Sequence, residues 1–155
     1  MSAAEEAAFR PIGDWSRVSP DYRGALVMPF DREGRALLQL RDLHAPVRPG
    51  EWGMFGGGVE GEETLREAAL REFEEETGLR LRPEALHPYI RIVSPTSRRR
   101  LFLYVSAFEG SADRIRLGEG AGFAFLPPAE ALRFGLEPAT RLALSTWLAA
   151  PLPLF

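Results

Sequence analysis

Residues 57–79 read GGVEGEETLREAALREFEEETGL, and from Thr64 onward the segment is written as a helix. Thr64, Leu65, Arg66 and Glu67 fit a capping box, in which the Thr64 hydroxyl and the Glu67 carboxylate each satisfy a free amide of the other residue. Gly78 follows as a stop, because glycine takes the left-handed conformation that ends helices. Between cap and stop lie about four turns, at ~3.6 residues per turn. Leu65, Ala69 and Phe73 recur at i, i+4 and i+8 and give one apolar stripe for a core. Glu72 and Glu76 stand at i and i+4, with Glu75 at i+3, so three carboxylates share one helix edge.

That edge is costly on its own. Like charges at i, i+4 destabilise a helix by roughly 0.2–0.5 kcal/mol per pair. The helix C-terminus also favours cations rather than anions. Arg71, Arg80 and Arg82 offer partial relief. A divalent cation offers more, since hard carboxylate oxygens suit Mg2+ or Mn2+. Five glycines within residues 53–61 lead into the helix, as a loop that can approach a ligand closely. Two readings stand at this point. The glutamates form either a solvated acidic face, the usual fate of a charge run, or half of a phosphate–metal cradle.

Working outward, residues 22–30 (YRGALVMPF) and 35–41 (RALLQLR) read as strands around a turn, DREG. Residues 42–50, with Pro46 and Pro49, read as a loop. Downstream, 88–93 and 101–108 read as strands separated by the basic turn SPTSRRR. Residues 122–126 (GFAFL) read as a short strand led by LGEGA. Residues 128–134 and 138–150 read as helices, with proline near each start. Residues 1–20, with Pro11, Gly13 and Pro20, read as a loosely structured lead-in, leaving 21–155 as one domain. Strands around one long central helix indicate a single α/β domain.

Composition narrows the chemistry. The chain has 155 residues, a formal net charge of −3, 45% hydrophobic and 26% charged residues, which suits one globular domain with a core. It has no cysteine and no lysine; all 19 basic residues are arginine. Thiol nucleophiles, disulfides, Schiff-base chemistry and a P-loop lysine are therefore excluded. With only His44 and His87, a histidine-rich metal site is excluded too, and no G-x-S-x-G marks a serine nucleophile. Residues 60–76 hold eight glutamates against two arginines, a local charge of −6 that leaves +3 on the rest. That balance, with no wide basic stripe, argues against nucleic acid as a partner. The amino-terminal MSAAEEAAFR is acidic and lacks a long apolar run, so no signal peptide is expected. No stretch approaches the ~18 apolar residues of a membrane span, and a cytoplasmic location is the expectation.

Gly57, five residues, Glu63, seven residues, then Arg71-Glu72-Phe73-Glu74-Glu75-Glu76-Thr77-Gly78-Leu79 resembles the signature of the Nudix hydrolases, and every fixed position of that 23-residue pattern is met. The likeness extends over roughly residues 21–135, through the preceding strand pair, Trp52 and the segment LGEGAGFAFL. It implies an α/β/α sandwich with a mixed, partly antiparallel sheet. It also implies hydrolysis of a nucleoside diphosphate linked to another moiety, with Mg2+ or Mn2+. By position, Glu72, Glu75 and Glu76 would be the metal-binding and water-activating carboxylates, and the Gly57 carbonyl would complete the metal shell. Arg71 and Glu63 would orient loop and helix by ion pairing. Glu119, in LGEGA, is a candidate further metal ligand, or an ordinary loop acid. The chemistry is coherent: bare carboxylates repel a polyanionic linkage, whereas a bound cation inverts the local charge and acidifies a water.

Substrate signals lie outside this segment. Pro95, 16 positions past Leu79, resembles a marker of the ADP-ribose pyrophosphatase branch, although TSRRR replaces the glutamate that follows there. ADP-ribose or a nucleotide sugar is therefore the first expectation for the small-molecule substrate. The alternatives are a nucleoside triphosphate house-cleaning pyrophosphatase and a non-hydrolytic nucleotide sensor of the same fold. An isoprenoid diphosphate isomerase is disfavoured, since that branch resembles a cysteine-using enzyme. Arg41 and the run Arg98, Arg99 and Arg100 are candidate phosphate contacts, although the run also reads as a solvated turn. Trp52 and Phe55 are candidates for stacking on a base or for core packing; many relatives carry proline where Phe55 stands. The apolar tail LALSTWLAAPLPLF, with Trp147 and Phe155, reads as a packed helix or as a homodimer contact.

Overall fold

A computed structural model describes residues 3–117 and 120–155. In chain order they form α1 (Ala3–Ala7), β1 (Arg10–Ile12), β2 (Arg23–Phe30), β3 (Ala36–Leu40), β4 (Trp52–Gly53), β5 (Phe55–Gly58), α2 (Leu65–Thr77), β6 (His87–Val93), β7 (Arg100–Ala107), β8 (Gly122–Leu126), α3 (Pro128–Ala131) and α4 (Pro138–Ala149). The strands join one sheet in the order β1-β6-β7-β2-β3-β4, with β5 added to β2 and β8 to β3. β1 pairs with β6, and β2 with β7, in parallel; the other pairs are antiparallel. The sheet is mixed, and helices cover both of its faces.

Strand alternation divides the core between those faces. From β2, Ala25 and Val27 point to one side, where they meet Leu65, Ala68, Ala69 and Phe73 of α2, with Phe55 and Phe102. Met28 and Phe30 point to the other, where they meet Ala143, Leu144 and Trp147 of α4, with Ile90 and Leu103. Trp147 stacks on Phe30 at 4.1 Å between centroids, and Leu152 and Leu154 pack on the same cluster. The apolar tail is thus packed within the chain.

The central helix follows its sequence rules closely. Thr64 Oγ1 accepts from the Glu67 amide at 3.0 Å, and Glu67 Oε1 accepts from the Thr64 amide at 2.9 Å. Gly78 closes the helix at φ 74°.

Two segments depart from expectation. Residues 53–61 are not all loop: Phe55–Gly58 forms β5, paired with Gly24–Val27. Gly56 makes that pairing possible, because at φ 143° any Cβ would collide with the Ala25 carbonyl and lie 2.7 Å from Leu26 Cα. Residues 3–17 are not a loose lead-in either. Besides α1 they supply β1 to the sheet edge and Phe9, 1% exposed, to the core beside α2. Pairing to a distant strand leaves no local signature, which is why proline and glycine content misleads there. α3 also stops at Ala131, short of the expected Phe134. Among the described residues, no helix is long and apolar enough to cross a membrane.

Candidate active site

Glu76 lies near the C-terminus of α2, where its carboxylate reaches the glycine strand. Its Oε1 accepts from the Gly56 amide at 2.8 Å, and its Oε2 accepts from Gln39 Nε2 at 3.3 Å. Gln39 is 8% exposed, and the same nitrogen donates to the Met54 carbonyl at 3.3 Å. Neutral donors on both oxygens hold this carboxylate in one orientation as it faces the cleft. Glu72, one turn earlier, abuts the next glycine: a Cβ on Gly57 would stand 2.5 Å from the Glu72 carboxyl carbon. Glu72 thus approaches Gly57 only because that residue has no side chain, while Glu76 holds Gly56 through its amide.

Arg71 ties this edge together. Its Nε and Nη2 fork onto Glu63 at 2.6 and 2.9 Å, Nη1 reaches Glu72 at 3.0 Å and Glu75 at 3.4 Å, and Nη2 donates to the Gly58 carbonyl at 3.1 Å. The fork lowers the Glu63 pKa, and it raises that of Arg71, chiefly through the same hydrogen bonds. One guanidinium thus joins the loop before α2, the edge of α2 and the end of β5.

Of these carboxylates Glu76 lines a cleft of about 830 Å3, the size of a small-molecule site. Its lining includes Gly56, Gly57 and Glu76, and also Gln39, Arg41, Arg48, Glu137, Tyr22 and Arg99. Arg41 Nε donates to the Val47 carbonyl at 2.8 Å, and its Nη1 lies 3.7 Å from Glu137. Burial pushes the Glu137 pKa up, against the opposing pull of Arg41. The Glu137 carboxylate occupies the space above Gly53 where a side chain would stand.

The sequence-derived site residues divide by position. Glu76, Gly57 and Arg41 line the cleft, with Glu72 against Gly57 and Glu75 on the Arg71 side of the same edge. Phe55 is fully buried and packs edge-on against Phe73, 5.4 Å between centroids. Trp52 packs on the α4 side of the core, and its backbone exchanges hydrogen bonds with Gly135 and Glu137. Neither aromatic lines the cleft, and neither does Pro95 or Arg98. Arg98 turns away at φ 63° and donates from Nε to the Arg17 carbonyl at 2.8 Å. Glu119 lies outside the described residues. Arg99 belongs to the run Arg98–Arg100 already read as a candidate phosphate contact, whereas Gln39, Tyr22, Arg48 and Glu137 are not picked out by the sequence. Gln39 alone carries a signal there, as the polar residue inside the apolar run ALLQL.

The donor set suits a divalent cation, because Glu72 and Glu76 bring hard carboxylate oxygens to the same glycine pair. As they stand, with Arg71 sharing the edge, no three acidic, histidine or cysteine side chains among the described residues are arranged to hold a metal ion.

A family model described as NUDIX domain matches residues 20–147. Over 77 residues, 46% of each chain, the sequence is 35% identical to an uncharacterized Nudix hydrolase from Pseudomonas aeruginosa. Over 43 residues, 28% of this chain and 30% of the relative, it is 49% identical to the nucleoside triphosphatase NudI of an Enterobacter species. The matched stretches thus span less than half the length of either curated relative. Among solved structures, a mutT/nudix family protein from Listeria innocua matches with a TM-score of 0.70 at 24% identity, covering 85% of this chain and 94% of that one.

Proposed function

The chain belongs to the Nudix family, and on that premise we propose that it is a pyrophosphohydrolase of nucleoside diphosphate derivatives. The observation that carries this reading is the Glu76 carboxylate, fixed by Gly56 and Gln39 at the lining of a cleft that Arg41 also lines. Glu72, Glu75, Glu76 and the Gly57 carbonyl would hold Mg2+ or Mn2+, which when bound offsets the charge of the linkage, polarises a phosphoryl oxygen and acidifies a water. Arg71, pinned by Glu63, keeps Glu72 and Glu75 on one edge. Arg41, which lines the same cleft, supplies N–H donors to phosphate oxygens. Water attacks a phosphorus of the anhydride, the bridging P–O bond breaks, and a glutamate of the edge accepts the proton. A linked diphosphate yields two phosphate-bearing products.

ADP-ribose and nucleotide sugars are the first substrates to examine. Nucleoside triphosphates are the second reading, favoured by the stretch shared with NudI. The test is Glu76→Gln, assayed on ADP-ribose, sugar nucleotides, dinucleoside polyphosphates and nucleoside triphosphates with each metal. Turnover should fall by about 10²–10⁴-fold, the usual contribution of a positioned proton acceptor, with the fold retained by circular dichroism. Full activity in that variant would remove Glu76 from the machinery. A wild-type protein that binds nucleotides tightly and hydrolyses none would instead be a sensor.

A further inference from the structure

The cations lining the cleft are not equivalent. Arg41 and Arg48 come from the segment after β3, and each has a carboxylate at 3.7 Å, Glu137 and Glu51 respectively. Arg99 comes from the turn before β7, across β2 from β5 and β3. Among the described residues, no carboxylate lies within ion-pairing distance of it. Its guanidinium lies 4.3 Å over the ring of Tyr22.

The platform beneath it is firmly seated. A Cβ on Gly58 would stand 3.0 Å from the Tyr22 ring and one on Gly24 3.2 Å from it, so the ring rests directly on these two glycines. Burial raises the Tyr22 pKa against the lowering pull of Arg99, and the Glu72 carboxylate adds to the rise. Arg99, itself exposed, thus lies over a ring seated on Gly58, next to the Gly57 that Glu72 abuts. The flanking arginines are engaged elsewhere, Arg98 with the Arg17 carbonyl and Arg100 with the Pro20 carbonyl at 3.0 Å. Ser94 shapes the turn: its amide donates to the Arg99 carbonyl at 2.9 Å, and its hydroxyl accepts from the Thr96 and Ser97 amides.

We propose that Arg99, laid on Tyr22, is a phosphate-binding residue that takes the non-bridging oxygens of the phosphoryl group on the opposite side of the scissile linkage from Arg41. Stacking occupies the face of the guanidinium and leaves its N–H edge to fork onto a tetrahedral oxyanion. Holding the side chain on a ring also removes part of the ordering cost of binding. A ligand that reaches Arg41 and Arg99 past Glu76 must carry spaced anionic oxygens, as a diphosphate does. The inference rests on the pyrophosphohydrolase reading for the ligand's place in the reaction, not for the anion site itself.

Calorimetric titration with inorganic pyrophosphate and Mg2+ tests it directly. Arg99→Leu should weaken binding by about 10–100-fold, the loss expected for charge-assisted hydrogen bonds, with an unchanged melting temperature. Arg99→Lys, which keeps the charge without the fork, should fall between. Tyr22→Phe should bind as the wild type, because the ring remains. Arg98→Leu should also bind pyrophosphate as the wild type. Equal binding by Arg99→Leu and wild type would overturn the proposal, as would equal losses in Arg98→Leu and Arg99→Leu, or a wild type that does not bind pyrophosphate. Arg99-dependent binding by a protein that hydrolyses no compound of the substrate panel would defeat the hydrolase reading and leave the anion site standing.

Discussion

Tyr104 is 1% exposed, with the Phe9 ring 5.0 Å from its own and the Arg66 guanidinium 5.0 Å above it. Burial, the largest influence, pushes its phenol up to about 12, against the lowering pull of Arg66. The unfolded chain releases that proton near pH 10. Between these values the folded state holds the proton more tightly, so the contribution is intact below about pH 10 and is lost as pH rises toward about 12. The loss amounts to roughly 2–3 kcal/mol for a shift of this size. Tyr104→Phe should lack this decline, while Tyr22 and Tyr89, also raised by burial, leave a smaller slope. Urea unfolding from pH 8 to 12 measures it, and parallel declines would exclude Tyr104 as the source. At this scale the carboxylates were legible in the sequence, because helical spacing alone puts Glu72, Glu75 and Glu76 on one edge. The aromatics were not: a fully buried Phe55 and a base-stacking Phe55 have the same letter and the same flanking glycines. Only the pairing of β5 with β2, which turns Phe55 toward Phe73, separates the two roles.

The central helix shows why some elements can be read to the residue. Its start rests on Thr64 and Glu67 and its end on Gly78, all within the helix or adjacent to it. Local chemistry therefore specifies the bounds without reference to the rest of the fold. Thr64→Ala removes the acceptor for the Glu67 amide and should lower stability by about 1 kcal/mol. The loss should be partial, because the neighbouring Leu65 amide has a separate acceptor, Glu5 Oε1 at 2.6 Å. Chemical denaturation of the Thr64→Ala and Glu5→Ala variants, singly and together, separates the two caps; additive losses would show that they act independently. The glycine segment before the helix is the contrary case. Its residues promise flexibility, yet β5 is ordered by the strand on which it lies, so composition alone reads it as a loop.

Across the whole molecule, the largest departure from the sequence reading is the part that carries no motif. The family match begins at residue 20, but residues before it reach three separate regions. β1 pairs with Ile90–Ile92 of β6 and takes the edge of the sheet, Glu6 pairs with Arg23 at 3.1 Å, and Glu5 caps the helix that bears the site carboxylates. Phe9 joins these contacts to the core, edge-on to Phe102 at 5.4 Å and to Tyr104 at 5.0 Å. If the segment were an appendage, truncating Phe9 would cost little. As a core residue of the α2 face, Phe9→Ala should cost about 3–5 kcal/mol, from lost transfer energy and the cavity left behind. It should also loosen β1, exposing backbone donors and acceptors along β6 to other chains. Equilibrium unfolding reads the first effect, and light scattering at rising protein concentration reads the second. A variant within 1 kcal/mol of the wild type and equally monodisperse would mean that residues 3–12 fold apart from the sheet. The full loss would make the amino-terminal segment part of the cooperative unit that positions Glu72 and Glu76.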